Sequence, residues 1–509
     1  MLLDEKTIIF AAGAVALAAL YFLCLKSDNP PLPPGPRGVP VLGNAADLPR
    51  SHAWLKFTEW ASTYGPIVHL RILGKHIIIL NDVNYAIDML DKKSRIYSNR
   101  PNLVMGGDMV GWDEGPALIQ FGKKWIEYRR LMAQFLGTRS KIETAYSDVI
   151  EKTTHSFLHG LLQSPKKWKG HGYRFAGAIV LKIAYGYEAR DHDDPLVKLV
   201  DDAMDQFSEL TGTNAFAVDT FPFLRYVPQW FPGTEWKQKV EPYRTTLQTM
   251  LDAPFAWIKE QMERGSSMSC FVSDLLETNE CLSHDEERTV KWAAAGIYSG
   301  GAETTAAVVE TFFLAIILQP DAQRKAQTEI DTVLGYGTVP RLTDRSRLPY
   351  MDGLFSEILR VYSIGPTGLP HVAAENDVHN GYFIPKDSII VTNNWLFYRD
   401  PNTYADPETF RPERFVETTM HIKEKDPRDI LFGYGRRACP GIHLADAALW
   451  LSFTSVLAFF DIRAPMKDGR PVFPSGKFSD GSISRPQSFE CEITPREGAS
   501  EVIRRVVEG

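Results

Sequence analysis

Cysteine is scarce in this chain and never paired: five residues in 509, at positions 24, 270, 281, 439 and 491, with no CxxC among them. So odd and scattered a set does not read as a disulfide framework, and the missing paired motif disfavours zinc or iron–sulfur ligation. No N-x-S/T sequon occurs, which favours a body facing the cytosol. A long basic block is absent too. With 56 basic and 63 acidic residues the net charge is −7, and nucleic acid is not an expected partner. After about residue 44 there is neither a low-complexity break nor an internal repeat, so residues 45–509 read as one domain. The 44% hydrophobic content is ample for a large core.

What the chain does have begins with an apolar run. Residues 8–25 carry no charge and are just long enough to span a thin bilayer as a helix. The weakly basic start, and the lack of a small-x-small site before Lys26, make residues 1–25 a membrane anchor rather than a cleaved signal peptide. Residues 26–44 hold the stretch Pro30-Pro31-Leu32-Pro33-Pro34-Gly35-Pro36, a stiff hinge between membrane and globule. Beyond it, residues 67–72, 77–80 and 388–392 read as strands, while 3.6-residue periodicity over 291–318, 321–334 and 351–361 predicts helices. The fold class is therefore mainly α with a minor β-sheet.

Four constellations carry chemistry. The run Phe432-Gly433-Tyr434-Gly435-Arg436-Arg437-Ala438-Cys439-Pro440-Gly441 presents one soft sulfur just ahead of an apolar helical stretch starting at Ile442. The helix dipole and free N–H groups there favour a thiolate, with Pro440 expected in the first helical turn. Such a thiolate suits an axial position on haem iron. Phe432 can then shield the sulfur, Gly435 lets the loop pass a flat cofactor, and Arg437 can answer a propionate. In the middle of the helix predicted at 291–318 stands Gly300-Gly301-Ala302-Glu303-Thr304-Thr305. Two mid-helix glycines cost about 1 kcal/mol each, so close approach of a cofactor or a kink is expected there. Thr304 can back-bond one turn earlier, and Glu303 needs either a partner or a proton-carrying role.

Glu357 and Arg360 share one helical face at i, i+3, and Phe410-Arg411-Pro412-Glu413-Arg414-Phe415 supplies a further arginine. Trp125 and Arg129 share a face at i, i+4 and are both pure donors, fit for a carboxylate.

In order and spacing these motifs (WxxxR, GGxETT, ExxR, PERF and the F-x-x-G-x-R-x-C-x-G loop) resemble the cytochrome P450 superfamily, and the loop looks most like fungal secondary-metabolism members. The resemblance implies the cytochrome P450 fold with a single N-terminal transmembrane helix and a haem b cofactor on the Cys439 thiolate, with Gly441 in the haem loop. It assigns Trp125 and Arg129 to one propionate, Glu357, Arg360 and Arg414 to a buried ion network behind the loop, and Thr304 with Glu303 to proton delivery. His371 falls where many members carry an arginine; being only partly charged near neutral pH, it leaves its role open. Implied as well are an endoplasmic reticulum location with a cytosolic catalytic domain over 45–509, and electrons from NADPH through cytochrome P450 reductase, with cytochrome b5 as an optional donor.

The implied reaction is oxidation of C–H bonds in a hydrophobic small molecule, terpenoid or sterol-like. An aromatic or polyketide substrate, and a dioxygen-independent rearrangement on the same fold, stand as alternatives. Residues 103–118, 207–223, 297–298, 364–369 and 479–482, which no motif fixes, are the expected specificity segments.

Overall fold

The computed structural model describes residues 29–190, 193–212, 216–278 and 282–508. The expected anchor over 1–25 lies outside them. Its principal elements are β1 (Ile67–Ile72), β2 (Lys75–Leu80), α1 (Lys123–Leu136), α2 (Trp168–Tyr185), α3 (Pro195–Thr211), α4 (His284–Leu318), α5 (Pro320–Leu334), α6 (Pro349–Val361), β3 (His371–Val372), β4 (Ile389–Thr392) and α7 (Ile442–Phe459). Helices dominate and the sheet is small, as expected.

β1 and β2 pair antiparallel from Ile67↔Leu80 to Ile72↔Lys75. Their two-residue turn puts Leu73 at φ 48° and Gly74 at φ 86°, the left-handed pair that matches the strand twist in a tight hairpin. β4 then adds parallel to β2 (Ile77↔Ile389), and β3 closes the sheet antiparallel (His371↔Ile390). This register carries His371 from a distant part of the sequence onto the sheet's edge strand, where it is buried.

α4 is the central helix and is buried nearly all round from Trp292 to Ile317. It begins seven residues before the periodic pattern does. Its first turns are polar, and a capping box starts them: the Ser283 hydroxyl accepts from the Glu286 amide at 3.3 Å, and Glu286 accepts from the Ser283 amide at 2.8 Å. Asp285, Glu286 and Glu287 add charge that favours a helix N-terminus. α2, α1 and α7 pack around it; Phe312 of α4 stacks on Phe453 of α7 with ring centroids 4.0 Å apart.

The cap of α7 is Gly441, so Pro440 stands outside the helix rather than in its first turn, a correction to the sequence reading. Among the described residues α4 and α7 are long and apolar enough to cross a membrane, but both are buried in the core.

Candidate functional site

The loop 432–441 is closed by one hydrogen bond: the Cys439 amide donates to the Phe432 carbonyl at 2.7 Å. Gly433 (φ 77°) and Gly435 (φ 50°) take the left-handed conformations this fold-back needs. Gly435 is glycine for a reason different from the one expected. A Cβ there would lie 2.4 Å from the Leu90 carbonyl oxygen, so the close approach is to protein backbone, where the loop seats on residues 87–92. Cys439 keeps an accessible side chain instead of packing into the core. Burial pushes its thiol up, while the Gly441 N–H and the Arg129 charge pull it down. A metal that takes a thiol as ligand overrides that balance and removes the proton.

Arg129 lies near this sulfur, and Arg437 lies near both Arg129 and Arg100. Arg129 lies 5.7 Å from the Trp125 ring, and Arg437 lies 4.9 Å from the same ring on its own approach. Arg437 donates to the carbonyls of Ser98 (2.8 Å), Pro116 (3.2 Å) and Ile119 (2.5 Å). Arg100, which the motifs did not single out, is buried and donates to the carbonyls of Ala117 (3.2 Å), Leu369 (2.7 Å) and Pro370 (2.8 Å). Burial, Arg100 and Arg129 bring Arg437 down to about 9, and burial alone brings Arg100 to about 10.

His371 bonds through Nδ1 to the Tyr97 carbonyl at 2.6 Å. Burial, Arg100 and Arg437 hold it well below its ordinary value, so it is neutral here rather than partly charged. Among the described residues none of Arg100, Arg129 and Arg437 has a carboxylate partner. Three buried or half-buried arginines left so are expensive unless an anion joins them. The two carboxylates of a flat macrocycle would supply that charge, and Cys439 would supply a soft axial ligand; the residues fit haem.

The glycine pair of α4 divides its work. Gly300 is exposed within the buried helix, and nothing stands within 4 Å of where its Cβ would be. Gly301 instead lets α2 approach, since its Cβ would lie 2.4 Å from Val180 Cγ1. The helix runs unbroken through both. Thr304 donates to the Gly300 carbonyl at 2.7 Å, the expected back-bond.

Glu303 is turned elsewhere. Its Oε1 is 3.2 Å from Arg485, which also reaches Glu310 at 3.2 Å and the Tyr173 hydroxyl. Its Oε2 is buried without a hydrogen-bond partner among the described residues, and burial pushes its carboxyl up. Glu303 and Arg485 border a polar cavity of about 630 Å³, with Asp201 and Asp205 of α3 on its wall. Of the expected specificity segments, Gly106 packs against Leu210, and Thr211 approaches Ser482 at 3.5 Å. Tyr298 points away from these segments, its hydroxyl on the Leu196 carbonyl.

Glu357, Arg360 and Arg414 do meet, and all three are fully buried. Arg360 holds Glu357 through Nε (2.7 Å) and Nη2 (2.8 Å), and Arg414 Nε reaches the same carboxylate at 3.2 Å. A fourth member went unseen in the sequence: Glu424 accepts from Arg414 at 2.8 Å. Every remaining donor of the pair finds a carbonyl, including Tyr398, Ala405 and Thr409, which is what a buried charge cluster requires.

The cytochrome P450 family profile matches residues 33–491. Cytochrome P450 monooxygenase 208 of Postia placenta is 45% identical over 494 residues, 96% of each chain. Cytochrome P450 monooxygenase claR of Ampulloclitocybe clavipes is 41% identical over 98% of this chain and 92% of its own. O-methylsterigmatocystin oxidoreductase of Aspergillus flavus is 36% identical over 99% and 95%. Likeness of this order, sustained along nearly the whole length, leaves one assignment: the chain belongs to the cytochrome P450 family of monooxygenases, whose cofactor is iron protoporphyrin IX held by a cysteine.

Proposed function

We propose that Cys439 is the axial thiolate of an enzyme that oxidises C–H bonds of a hydrophobic small molecule, terpenoid or sterol-like, in secondary-metabolite biosynthesis. The observation that carries this reading is the placement of Cys439. It stands accessible at the head of α7, with the Gly441 N–H on its sulfur side and Arg129 close by. Bound haem supplies the activation of dioxygen.

The chain supplies the rest. Trp125, Arg129, Arg100 and Arg437 offer donors and charge to the propionates, and His371 takes a proton when an anion stands beside it. Thr304 keeps its hydroxyl on the Gly300 carbonyl, beside the open space at that glycine, and would serve as a proton donor to the haem site. Glu303 restocks the proton from the polar cavity behind it, its raised carboxyl being suited to that task. The Glu357–Arg360–Arg414 network keeps the haem loop in place. Electrons come from NADPH through a membrane-bound cytochrome P450 reductase, with cytochrome b5 as an optional donor. Residues 1–25 anchor the chain in the endoplasmic reticulum, and the 26–44 hinge sets the catalytic domain of 45–509 on the cytosolic side. Relatives named as monooxygenases, and one named for O-methylsterigmatocystin, support a small-molecule substrate.

The test is the spectrum of the reduced carbonyl complex. Wild type should show the thiolate-type band and Cys439→Ser should lose it; a retained band in the variant would refute the axial assignment. Titrating the ferric protein with terpenoids, sterols and aromatics then names the substrate class by a low-to-high-spin shift. A shift with aromatics alone would overturn the terpenoid reading.

A further inference from the structure

Both feet of the Cys439 loop stand on one ion pair. Arg428, eleven residues before the cysteine, opens the helical turn Arg428–Leu431 that runs straight into the loop. Asp446, seven residues after it, lies on α7. Arg428 Nε donates to Asp446 Oδ1 at 2.6 Å; Asp446 is buried and Arg428 nearly so. Two hydrogen bonds lead from the first foot to the cysteine: the Phe432 amide donates to the Arg428 carbonyl at 3.3 Å, and the Phe432 carbonyl accepts from the Cys439 amide at 2.7 Å. From the second foot, the start of α7 holds Gly441, whose carbonyl accepts from Ala445 at 2.9 Å and whose N–H faces the sulfur. Arg428 also reaches α6, at the Ser356 hydroxyl (3.0 Å) and Asp352 (3.4 Å), next to the Glu357 network.

We propose that Arg428 and Asp446 are a positioning pair, which sets where the Cys439 sulfur stands and so how strongly it donates to the iron. This rests on Cys439 being the axial ligand. None of the sequence motifs includes either residue, and neither touches the cofactor cleft. Burial alone would favour a protonated Asp446; Arg428 and Arg345 more than reverse that and hold its carboxyl well below the ordinary range. The ion pair is therefore intact across the working pH range.

The network itself makes the pair separable from simple stability. Asp446 is held also by Arg345, at 3.1 Å to Oδ1 and by a second contact to Oδ2, and by Arg139 at 2.9 Å. Replacing Arg428 therefore leaves Asp446 paired; it removes the tie between the loop's feet together with the bonds of Arg428 to Ser356, Asp352 and Asp426. Arg139 belongs to the short helix Arg139–Ala145 and touches neither foot's path to the cysteine. Its loss takes the same charge from the same carboxylate without loosening the loop.

The experiment compares Arg428→Gln, Arg428→Lys and Arg139→Gln as full-length, haem-loaded protein. Read for each are the ratio of thiol-type to thiolate-type carbonyl complex, the reduction potential and the melting temperature. Arg428→Gln should raise that ratio about tenfold or more and move the potential upward, because a displaced thiolate donates less to ferric iron. Arg428→Lys, which keeps the charge, should recover part of both. Arg139→Gln should lower only the melting temperature.

Three results would overturn the pair. One is an Arg428→Gln protein with full haem and wild-type spectrum and potential. Another is an Arg139→Gln protein that moves both readouts as far, which would show a general charge effect. The third is failure of Arg428→Lys to fold, which would make the pair a requirement of folding and nothing more. A wild type without the thiolate-type band would sink the axial assignment and the pair with it, whereas a sound wild type with unmoved variants sinks the pair alone.

Discussion

Glu303 and Thr304 are neighbours in the chain, yet their side chains meet different partners. The Thr304 hydroxyl lies on the Gly300 carbonyl at 2.7 Å, at the one exposed glycine of that helix, while Glu303 pairs with Arg485 at 3.2 Å beside the polar cavity. Successive helical residues point about 100° apart, so one dipeptide can face the polar cavity with one side chain and the surroundings of Gly300 with the other. Neither residue alone could do both.

Replacing Thr304 by alanine tests the cleft side. The back-bond it loses contributes little, so stability should stay within roughly 0.5 kcal/mol of wild type. Product formed per NADPH consumed should fall about tenfold or more, in line with the weight of a positioned proton donor. Undiminished coupling, measured as product against NADPH and peroxide, would remove Thr304 from the proton path.

Arg360→Ala should be costly. It leaves Glu357 fully buried with Arg414 as its remaining cation, and stranding a buried charge in this way costs about 3–5 kcal/mol. Denaturant unfolding and haem content should fall together. A variant with normal haem and a normal midpoint would show that the network is not what secures the loop.

Arg129→Met should act in two directions. Among the described residues Arg129 makes no ion pair or hydrogen bond, and burial already disfavours its charge. The haem-free protein should thus keep or gain thermal stability. Haem loss to an excess of apo-globin should quicken about tenfold or more, since truncating one partner of a desolvated charge pair costs at least about 2 kcal/mol. An unchanged loss rate would separate Arg129 from the propionates.

The pH dependence of stability should carry the mark of Asp201. Burial, with Asp205 and Glu303 adding to it and Arg485 opposing, raises this carboxyl to about 7. The folded state then holds a proton that the unfolded state gives up near pH 4, so Asp201 takes stability away as pH rises from there to about 7. Asp201→Asn should match wild type near pH 4 and exceed it at pH 8 by about 1–2 kcal/mol, solvent in the cavity screening the rest. Parallel curves for the two proteins would show the carboxyl to be solvated like any surface acid.

Much of the site could be read from the chain because it is built on short spacings. Trp125 and Arg129 share a face one helical turn apart; Glu357 and Arg360 need only three residues; the 432–441 loop carries its own turns and its own sulfur. The strand at 67–72 and the 77–80 part of its partner were legible for a related reason, short β-prone runs; that the second strand starts at Lys75, after a tight turn, came from the structure. Where side chains changed the picture, the cause was distant packing. Gly435 is required by the backbone of residues 90–91, and Gly301 by Val180, neither of which a local pattern contains.

Sequence alone determined the helical class, the thiolate loop and the pairing of residues within a turn of one another, since local geometry and periodicity suffice for these. Tertiary structure decided which charges are left without acids and which are not. Arg100 owes its place to carbonyls at 117, 369 and 370, Glu303 finds its cation 182 positions away, and Asp446 gathers arginines from 139, 345 and 428. A buried charge is settled by whatever the fold brings within a few ångströms, and that depends on three-dimensional packing that no short window of residues encodes.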